Sequence, residues 1–329
     1  MEPLVSVVTP FYNTRDFLGE CITSVLQQTY QNWEYLLVDN QSTDGSSEIA
    51  AQYASRFPEK IRVIRTASFL SQVENYNFAL TCISPESKYC KMVQADDWLF
   101  PECVSRMVEV AEGHPSVGIV GAYRLENDRV DLDGLPYPSL EVSGREVCRL
   151  YLLENKYVFG SPTSVLYRSE ILRGRDPFFE EQYAPFEDGH VCFEVLRMWN
   201  FGFVHQVLTY SRWGNEGIMS RVFPFGIEGF VNLSMLVAHG KDYLSPEEYG
   251  RRLKRFERRY FLELTKHACA LRPASQEFWE FHRRGLAAIN YSFGWKKIAR
   301  CLPRAMVDKA WNLIWRSMQG LMSILRAET

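Results

Sequence analysis

The sequence lacks any Cys-X-X-Cys pair, and its eight cysteines are scattered without regular spacing. A disulfide framework would show such spacing, so we expect reduced thiols and a cytosolic protein. No window offers eighteen uninterrupted apolar residues, and Glu2 stands where a signal peptide would carry basic residues. These absences predict neither a membrane-spanning helix nor secretion.

Glycine-rich phosphate loops are missing as well. No G-x-G-x-x-G follows the first predicted strand, and no G-x-x-x-x-G-K-[S/T] occurs anywhere in the chain. Phosphate binding of the Rossmann or P-loop type is therefore poorly supported. A bound phosphate would need a different positive partner.

Apolar material for a large core is plentiful. The chain has 329 residues, of which 46% are hydrophobic and 14% aromatic, enough for one large domain or one domain with a substantial appendage. Charge is distributed unevenly, because residues 241–329 carry 18 Lys and Arg against 9 Asp and Glu, whereas residues 1–240 carry 19 against 31. The basic end favours an anionic partner such as a membrane surface, and the acidic remainder argues against nucleic acid.

Apolar segments of strand length alternate with helical patterns through the first part of the chain. This alternation predicts an α/β fold with a mostly parallel sheet and helices on both faces. Strands are predicted at 4–9, 34–38, 61–65, 89–93 and 117–122, with helices near 16–28, 45–57, 71–83 and 101–112. Further on we predict a loop or hairpin at 124–144, a helix at 144–155, a strand at 163–168, a helix at 188–199, a strand at 203–210, and helices from 220 onward.

Polar side chains follow three of the early strands. Carboxyl ends of parallel strands share one edge of the sheet, which is where ligands bind in such folds, so these residues are expected to line one crevice. They are Pro10, Tyr12 and Asn13 after the first strand, Asp39 and Asn40 after the second, and Asp96 and Asp97 after the fourth.

The adjacent pair Asp96 and Asp97 admits two interpretations. Carboxylate oxygens suit Mg²⁺ or Mn²⁺, and a cation held by Asp97 would relieve the repulsion between the two charges. Alternatively, the pair provides a helix cap with acid in the first turn. The position of the pair among the other strand-end residues favours the metal.

The segments "VSVVTPFYN", "LLVDNQSTDGS", "NYNFAL" and "VQADDWLFPE", in this order and spacing, resemble the nucleotide-sugar half of family 2 glycosyltransferases. The resemblance covers about residues 4–240 and implies a GT-A fold and inversion at the anomeric centre. It implies a GT-A domain over 1–240, with a nucleotide-sugar half at about 1–122 and an acceptor half at about 123–240. Residues 241–329 would form a basic helical region.

The resemblance also implies roles for individual residues. Pro10 and Tyr12 would line the base pocket, with Asp39 and Asn40 beside the uracil and ribose. Asp96 would contact the ribose or ligate the metal ion indirectly. Asp97 would bind the Mn²⁺ or Mg²⁺ that bridges the diphosphate. Further donor-binding residues would be Asn13, Gln72, Asn77 and Arg212.

Two positions depart from the family pattern. Gln94 stands where members often carry an acid, which leaves fewer metal ligands. Asn40 stands where members often carry a second Asp, so a thymidine-diphosphate sugar remains an alternative to a uridine donor.

The acceptor half is expected to supply a base. Glu187 and Asp188 open a predicted helix, and the resemblance matches them to the catalytic pair of the family, with Asp188 as the general base. An attacking hydroxyl must lose its proton, and a positioned carboxylate can accept it. The alternative is a helix-start residue placed for the helix dipole. Arg212, in a segment that resembles the donor-closing loop, would neutralise the diphosphate or else be a surface arginine.

The basic tail carries two notable segments. One is a cluster at Arg251, Arg252, Lys254, Arg255, Arg258 and Arg259. The other is an amphipathic helix predicted at 302–326, which could lie in the interface of an anionic membrane or pack in a core or homo-oligomer contact.

Together these observations predict an inverting glycosyltransferase. It would transfer a sugar from a nucleotide-diphosphate donor, preferably uridine-linked, to a hydroxyl of a glycan or lipid-linked saccharide at the cytoplasmic membrane face. Two alternatives are a metal-dependent nucleotidyltransferase and a non-catalytic sugar-nucleotide or membrane-binding module. The first would require a basic glycine-containing loop after the first strand.

Overall fold

A computed structural model of the chain describes residues 2–213, 220, 222–269 and 274–307. The chain divides into two compact units, Met1–Ser220 and Arg221–Thr329. The first unit contains the sheet, and the described residues of the second are mostly helical. Residue 240, where the sequence suggested a boundary, lies inside the helix Ile227–Tyr243 of the second unit.

The first unit is built on a ten-stranded sheet flanked by helices. Its strands are β1 (Val5–Phe11), β2 (Trp33–Asp39), β3 (Ile61–Arg65), β4 (Tyr89–Met92), β5 (Trp98–Leu99), β6 (Val117–Glu126), β7 (Arg129–Asp131), β8 (Glu141–Val142), β9 (Leu166–Arg168) and β10 (Asn200–Ser211). Its helices are α1 (Arg15–Leu26), α2 (Ser46–Arg56), α3 (Gln72–Thr81), α4 (Cys103–Gly113), α5 (Gly144–Glu154), α6 (Ser169–Arg173) and α7 (Glu187–Val195).

The strand order is β3-β2-β1-β4-β9-β6-β10-β5. Strands β3, β2, β1 and β4 run parallel, as do β6 and β10, whereas β9 is antiparallel to both β4 and β6. The predicted α/β class and mostly parallel sheet are confirmed. All seven residues of β1 are buried, because helices cover both faces of the sheet.

Local sequence explains how the elements next to the site begin and pack. Helix α1 buries Leu18, Cys21, Ile22 and Val25, the spacing of one helical face. Helix α3 begins at a capping box, in which the Ser71 hydroxyl accepts from the Glu74 N–H and the Glu74 carboxylate accepts from the Ser71 N–H. The start of α3 is therefore fixed by its cap, whereas α1 is held by its buried face.

Two local features differ from the sequence prediction. The segment predicted as one strand at 163–168 begins instead with a 3-10 turn, Pro162–Ser164, before β9. The two-residue strand β5, which pairs with β10, has no periodic signal of its own. Both features lie next to Asp97 in space, so they shape the site.

The second unit contains helices α8 (Ile227–Tyr243), α9 (Pro246–Ala268) and α10 (Gln276–Ala288), and residues 295–307 are also helical. Helix α9 begins at a capping box between Ser245 and Glu248. Inside the unit, buried His282 bonds to the Tyr260 hydroxyl at 2.9 Å. Most of the amphipathic helix predicted at 302–326 lies outside the described residues.

None of the helices within the described ranges has the length and apolar character needed to cross a membrane. All eight cysteines are free thiols, and five of them are buried.

Candidate active site

The end of β1 carries an exposed aromatic side chain. Pro10 is buried in the strand, whereas Tyr12 is 45% exposed and meets Phe69 edge to face, with ring centroids 4.8 Å apart. Phe69 is itself 61% exposed. The two rings form one accessible aromatic surface of the kind on which a nucleobase can stack.

Asn13 and Asp39 fix the loop that follows β2. Asn13 has a left-handed backbone (φ 51°), and its side-chain oxygen accepts from the Thr43 N–H at 2.9 Å. Asp39 is buried and accepts from the Ser42 N–H at 2.8 Å and the Ser47 hydroxyl at 2.6 Å. Both predicted donor-binding residues therefore hold the crevice wall in one conformation.

Asn40 is occupied by the backbone of another loop. Its amide donates to the Leu70 carbonyl at 2.9 Å, and its side-chain oxygen accepts from the Leu70 N–H at 2.9 Å. This pairing positions the loop that carries Phe69. The structure thus connects Asn40 to the aromatic surface through the residue next to Phe69.

Gln72 and Asn77 also make contacts inside the protein. Gln72 donates to the Tyr76 hydroxyl at 2.6 Å, and Gln94 donates to the same hydroxyl at 3.0 Å. Asn77 pairs with the backbone of Phe179 through two hydrogen bonds of 2.8 Å. These residues join α3 to the Asp96 segment and to the segment before α7.

The two adjacent aspartates have different surroundings. Asp97 is buried, and its carboxylate accepts from the Ser211 hydroxyl and the Arg212 N–H, each at 3.1 Å. The Thr163 hydroxyl is a third partner. Asp96 is only partly buried. Burial, and then the charge of Asp96, raises the pKa of Asp97 above its usual range, while the three hydrogen bonds favour the ionised form.

The helix-cap interpretation of this pair is wrong. Helix α4 begins at Cys103 with Glu102 as its N-cap. The backbone N–H that Asp97 receives comes from Arg212, after β10. The carboxylate is therefore held by sheet and turn residues rather than by a helix start.

A divalent cation fits this arrangement together with a diphosphate. Within the described residues, no group of three or more His, Cys, Asp or Glu side chains could hold a metal. Mg²⁺ sites commonly use one or two carboxylates, with substrate phosphates and water supplying the other oxygens. Asp97 and the partly buried Asp96 meet that requirement.

Arg212 has a partner of its own. Its guanidinium lies 2.7 Å from the Glu20 carboxylate and stacks over the Phe17 ring at 4.8 Å. The side chain is about one quarter exposed, and its Nε donates to the Asp96 carbonyl at 3.3 Å. Arg212 is thus next to both aspartates, although its guanidinium is directed to α1.

Glu187 and Asp188 open α7, as the sequence predicted. Asp188 accepts from the Gly189 N–H at 2.7 Å. Burial raises the pKa of Asp188, whereas the Gly189 N–H and the Arg124 charge lower it. Glu187 is buried, and its Oε2 has no hydrogen-bond partner among the residues described. Burial, and then the charge of Asp188, raises the pKa of Glu187.

Tyr76 connects the two pairs of carboxylates. After burial, the charge of Glu187 is the largest influence that raises the pKa of the Tyr76 hydroxyl, and Asp96 acts in the same direction. Gln94, two positions before Asp96, donates to the Tyr76 hydroxyl, and the Tyr76 ring meets Phe179, which precedes α7, edge to face at 6.0 Å. Tyr76 therefore contacts the segments that carry the two pairs. A donor site next to an acceptor base requires such an arrangement.

Four residues of this site were not found by sequence reasoning. Thr163 and Ser211 bond to Asp97, Arg124 acts on Asp188, and Phe69 lies against Tyr12. None of them belongs to a local motif. A signal existed only for Phe69, as an aromatic residue in a polar loop.

The family of the chain follows from comparison with known proteins. A family model described as glycosyl transferase family 2 matches residues 6–175, which is more than half of the chain. The chain belongs to this family and is a glycosyltransferase. The nucleotidyltransferase and non-catalytic interpretations are thereby set aside.

Curated relatives agree with this assignment. The putative glycosyltransferase EpsE of Bacillus subtilis is 32% identical over 152 residues, which cover 44% of this chain and 54% of that protein. The poly(ribitol-phosphate) beta-glucosyltransferase of Bacillus spizizenii is 26% identical over 186 residues, covering 56% of this chain and 28% of that protein. The match to EpsE thus spans about half the length of that relative.

Solved structures show the same fold. The S. aureus TarS 1-349 structure in complex with UDP-GlcNAc aligns with a TM-score of 0.61 and 18% identity, covering 87% of this chain and 81% of that chain. The mannosyltransferase PcManGT from Pyrobaculum calidifontis, in complex with GDP-Man and Mn²⁺, aligns with a TM-score of 0.56 and 17% identity, covering 95% and 88%. The predicted GT-A fold is confirmed.

Proposed function

We propose that the protein transfers a sugar, with inversion, from a uridine-diphosphate donor to a hydroxyl of a glycan or lipid-linked saccharide during cell-surface polysaccharide assembly. The observation that carries this proposal is the position of Tyr76, which bonds to Gln94 just before Asp96 and packs against Phe179 before α7. Besides burial, the charges of Asp96, beside Asp97, and Glu187, beside Asp188, both raise the pKa of its hydroxyl. The pair Asp96 and Asp97 is suited to the donor diphosphate, and the pair Glu187 and Asp188 is suited to the acceptor hydroxyl.

The acceptor chemistry is assigned to Asp188. An acceptor hydroxyl attacks the anomeric carbon on the face opposite the leaving diphosphate, and Asp188 takes its proton. Burial raises the pKa of this carboxyl and thereby makes it a stronger base once ionised. Glu187, buried beside it, would orient the acceptor through its unpartnered oxygen.

The donor is assigned to the strand ends. The exposed rings of Tyr12 and Phe69 offer a stacking surface for the base. Hydrogen bonds to the Asp39 carboxylate hold the loop that follows β2. Asp97 and Asp96 would hold a Mn²⁺ or Mg²⁺ ion, which supplies positive charge to the diphosphate when bound. Arg212 would add its charge after leaving Glu20.

Calorimetric titration of a panel of nucleoside diphosphates, with and without Mn²⁺, tests the donor assignment. Uridine diphosphate is expected to bind more tightly than the guanosine, adenosine and thymidine analogues, and more tightly still with Mn²⁺. Stronger binding of thymidine diphosphate would contradict the uridine assignment. Equal binding of all four nucleoside diphosphates would show that no pocket selects the base.

The protein is further assigned to the cytoplasmic face of a membrane, because the second unit carries a basic groove. This groove, about 610 Å³ in volume, is lined by Arg251, Lys254, Arg255, Arg258, Arg259, Leu262 and Arg304. Five of the cations come from α9, at spacings that place like charges three or four residues apart. Such neighbours repel one another, and an anion would relieve the repulsion.

Exposed apolar side chains support a lipid surface as the anion. Arg304 belongs to the helical residues 295–307, in which Leu302, Met306 and Val307 are 38%, 65% and 50% exposed. Cations next to exposed apolar groups are typical of helices that lie in the membrane interface. Arg252 of the predicted cluster does not line the groove, because it is buried over the Phe256 ring.

Vesicle sedimentation tests this assignment. The protein is expected to bind vesicles that contain phosphatidylglycerol and not those of phosphatidylcholine alone. Reversing two charges, with Arg255→Glu and Arg258→Glu, is expected to weaken binding by more than about 25-fold. The control is Arg283→Glu with Arg284→Glu, which changes exposed arginines of α10 outside the groove. Equal losses in the two variants, or none in the first, would rule out the groove.

A further inference from the structure

Lys91 is a buried cation that the proposed mechanism does not use. It lies in β4 and is fully buried. Its ammonium donates to the carbonyl oxygens of Thr163 at 2.5 Å and Val165 at 3.1 Å. Burying a cation is costly, and a methionine of similar length would fill the same space without a charge. Stability alone therefore does not explain why a lysine occupies this position.

The carbonyls that Lys91 holds belong to the turn beside Asp97. Thr163 lies in the 3-10 turn Pro162–Ser164, and its side chain is fully buried. Its hydroxyl oxygen accepts from the Gln94 N–H at 3.0 Å, and the hydroxyl also acts on the Asp97 carboxyl, whose pKa it lowers. Lys91 thus fixes the backbone of the residue whose hydroxyl acts on Asp97.

This chain of contacts completes the surroundings of Asp97. Ser211 and Arg212, from the end of β10, hold the carboxylate through two further hydrogen bonds. Thr163 approaches it from the turn before β9. Without Lys91, the carbonyls of Thr163 and Val165 would lose their donor, and the Gln94 N–H would have to hold the Thr163 hydroxyl without that support.

We propose that Lys91 is a positioning residue, which orients the Asp97 carboxylate toward a metal and diphosphate through Thr163. The inference rests on the proposed role of Asp97 in donor binding. It adds that the affinity for the diphosphate depends on a cation in the core that never touches the donor. Groups that orient a metal ligand typically change metal affinity by about 10- to 100-fold when removed.

The main alternative is that Lys91 only stabilises the fold, and Arg168 provides a matched control. Arg168 is also buried, and its guanidinium donates to the carbonyls of Val117 at 2.5 Å and Ala111 at 2.7 Å. Neither carbonyl belongs to a residue that bonds to Asp97. Lys91→Met and Arg168→Met each leave two or more backbone acceptors without their donor, so both are expected to lower the thermal midpoint.

Calorimetry with uridine diphosphate and with uridine separates the two explanations. Lys91→Met is expected to weaken Mn²⁺-dependent binding of uridine diphosphate by about tenfold or more, with the Kd of uridine unchanged. Arg168→Met is expected to leave both dissociation constants unchanged. Weakening of both ligands by Lys91→Met, or of neither, overturns the proposal.

Two further variants keep the test decisive. Thr163→Val removes the hydroxyl and is expected to reproduce the loss seen with Lys91→Met, whereas Thr163→Ser retains wild-type binding. If Lys91→Met does not fold, unchanged binding by Thr163→Val overturns the inference. Asp97→Ala tests the underlying function separately: retention of Mn²⁺-dependent binding in that variant refutes the role of Asp97 itself.

Discussion

In the first unit Asp39, Asp97 and Glu187 are each less than 5% exposed, whereas in the second unit the side chains of Arg251 and Arg259 are 69% and 47% exposed. Buried charges act through specific geometry, because little water screens them and their effect depends on the few groups packed around them. Salt and solvent screen the interaction of each exposed cation with an anion, so the total effect depends on how many such cations there are. Substitutions in the two units should therefore follow different rules.

The largest effect is expected at the buried base. Asp188→Asn removes the proton acceptor and should lower the rate of donor hydrolysis or sugar transfer by about 10²- to 10⁴-fold. The Kd of uridine diphosphate should not change, because Asp188 belongs to the acceptor side. Glu109→Gln, on the exposed face of α4, is the control. A rate close to that of the wild type in Asp188→Asn would remove Asp188 from the mechanism.

Single substitutions in the basic groove should have smaller, additive effects. Arg251→Ala and Arg258→Ala, seven positions and about 10 Å apart along α9, are each expected to weaken binding to anionic vesicles about fivefold, and the double variant about 25-fold. Raising the salt concentration should reduce all of these differences. Sedimentation at two ionic strengths measures them. If the loss in the double variant differs strongly from the product of the two single losses, the groove cations depend on specific geometry, as the buried carboxylates do.

Asn40→Asp examines the departure from the family pattern. A carboxylate at this position would face the Leu70 carbonyl, to which the Asn40 amide now donates. We expect a loss of about 1–3 kcal/mol in the free energy of unfolding, measured in urea, and weaker uridine binding as the Phe69 loop loosens. The exposed Asn32→Asp variant serves for comparison. Tighter uridine binding in Asn40→Asp would show that Asn40 contacts the base directly.

The smallest effect is expected on the pH profile. The charge of Arg124 lowers the pKa of Asp188, so Arg124→Gln should raise that pKa. A general base must be ionised, and the acid limb of the rate profile should therefore move to higher pH, by about one unit or less. Rates of donor hydrolysis across the acidic range measure the shift, with the exposed Arg129→Gln as the control. Movement to lower pH would contradict the assignment of the base.

Much of the first unit was predictable from sequence because its strands are locally encoded. The segments at 61–65 and 89–93 became β3 and β4 within one residue. The residues that follow β1 and β2 do meet, because Asn13 accepts from the Thr43 N–H and parallel strands present their carboxyl ends at one edge. The pair Glu187 and Asp188 was singled out by the resemblance to the family, and it opens α7.

The partners of these residues were not predictable. Asn40 and Asn77 look like ligand-binding amides in the sequence, yet each pairs with a backbone segment that lies at least thirty positions away. Thr163 and Ser211 reach Asp97 only because β9 and β10 cross the sheet out of sequence order. Such contacts follow from strand order, which local patterns do not specify.

The alternation of apolar segments determined, by itself, the sheet, and the residues at strand ends indicated the candidate donor carboxylates, whereas the acceptor pair Glu187 and Asp188 came from the resemblance to the family. Only the tertiary structure decided how those carboxylates are held: Asp97 by three hydrogen bonds from distant segments, Glu187 by burial with one oxygen unpartnered among the described residues, and Arg212 paired with Glu20. The reason is physical. Periodicity reports which face of a strand is buried, whereas hydrogen bonds and pKa shifts depend on which remote groups the folded chain brings within a few ångströms.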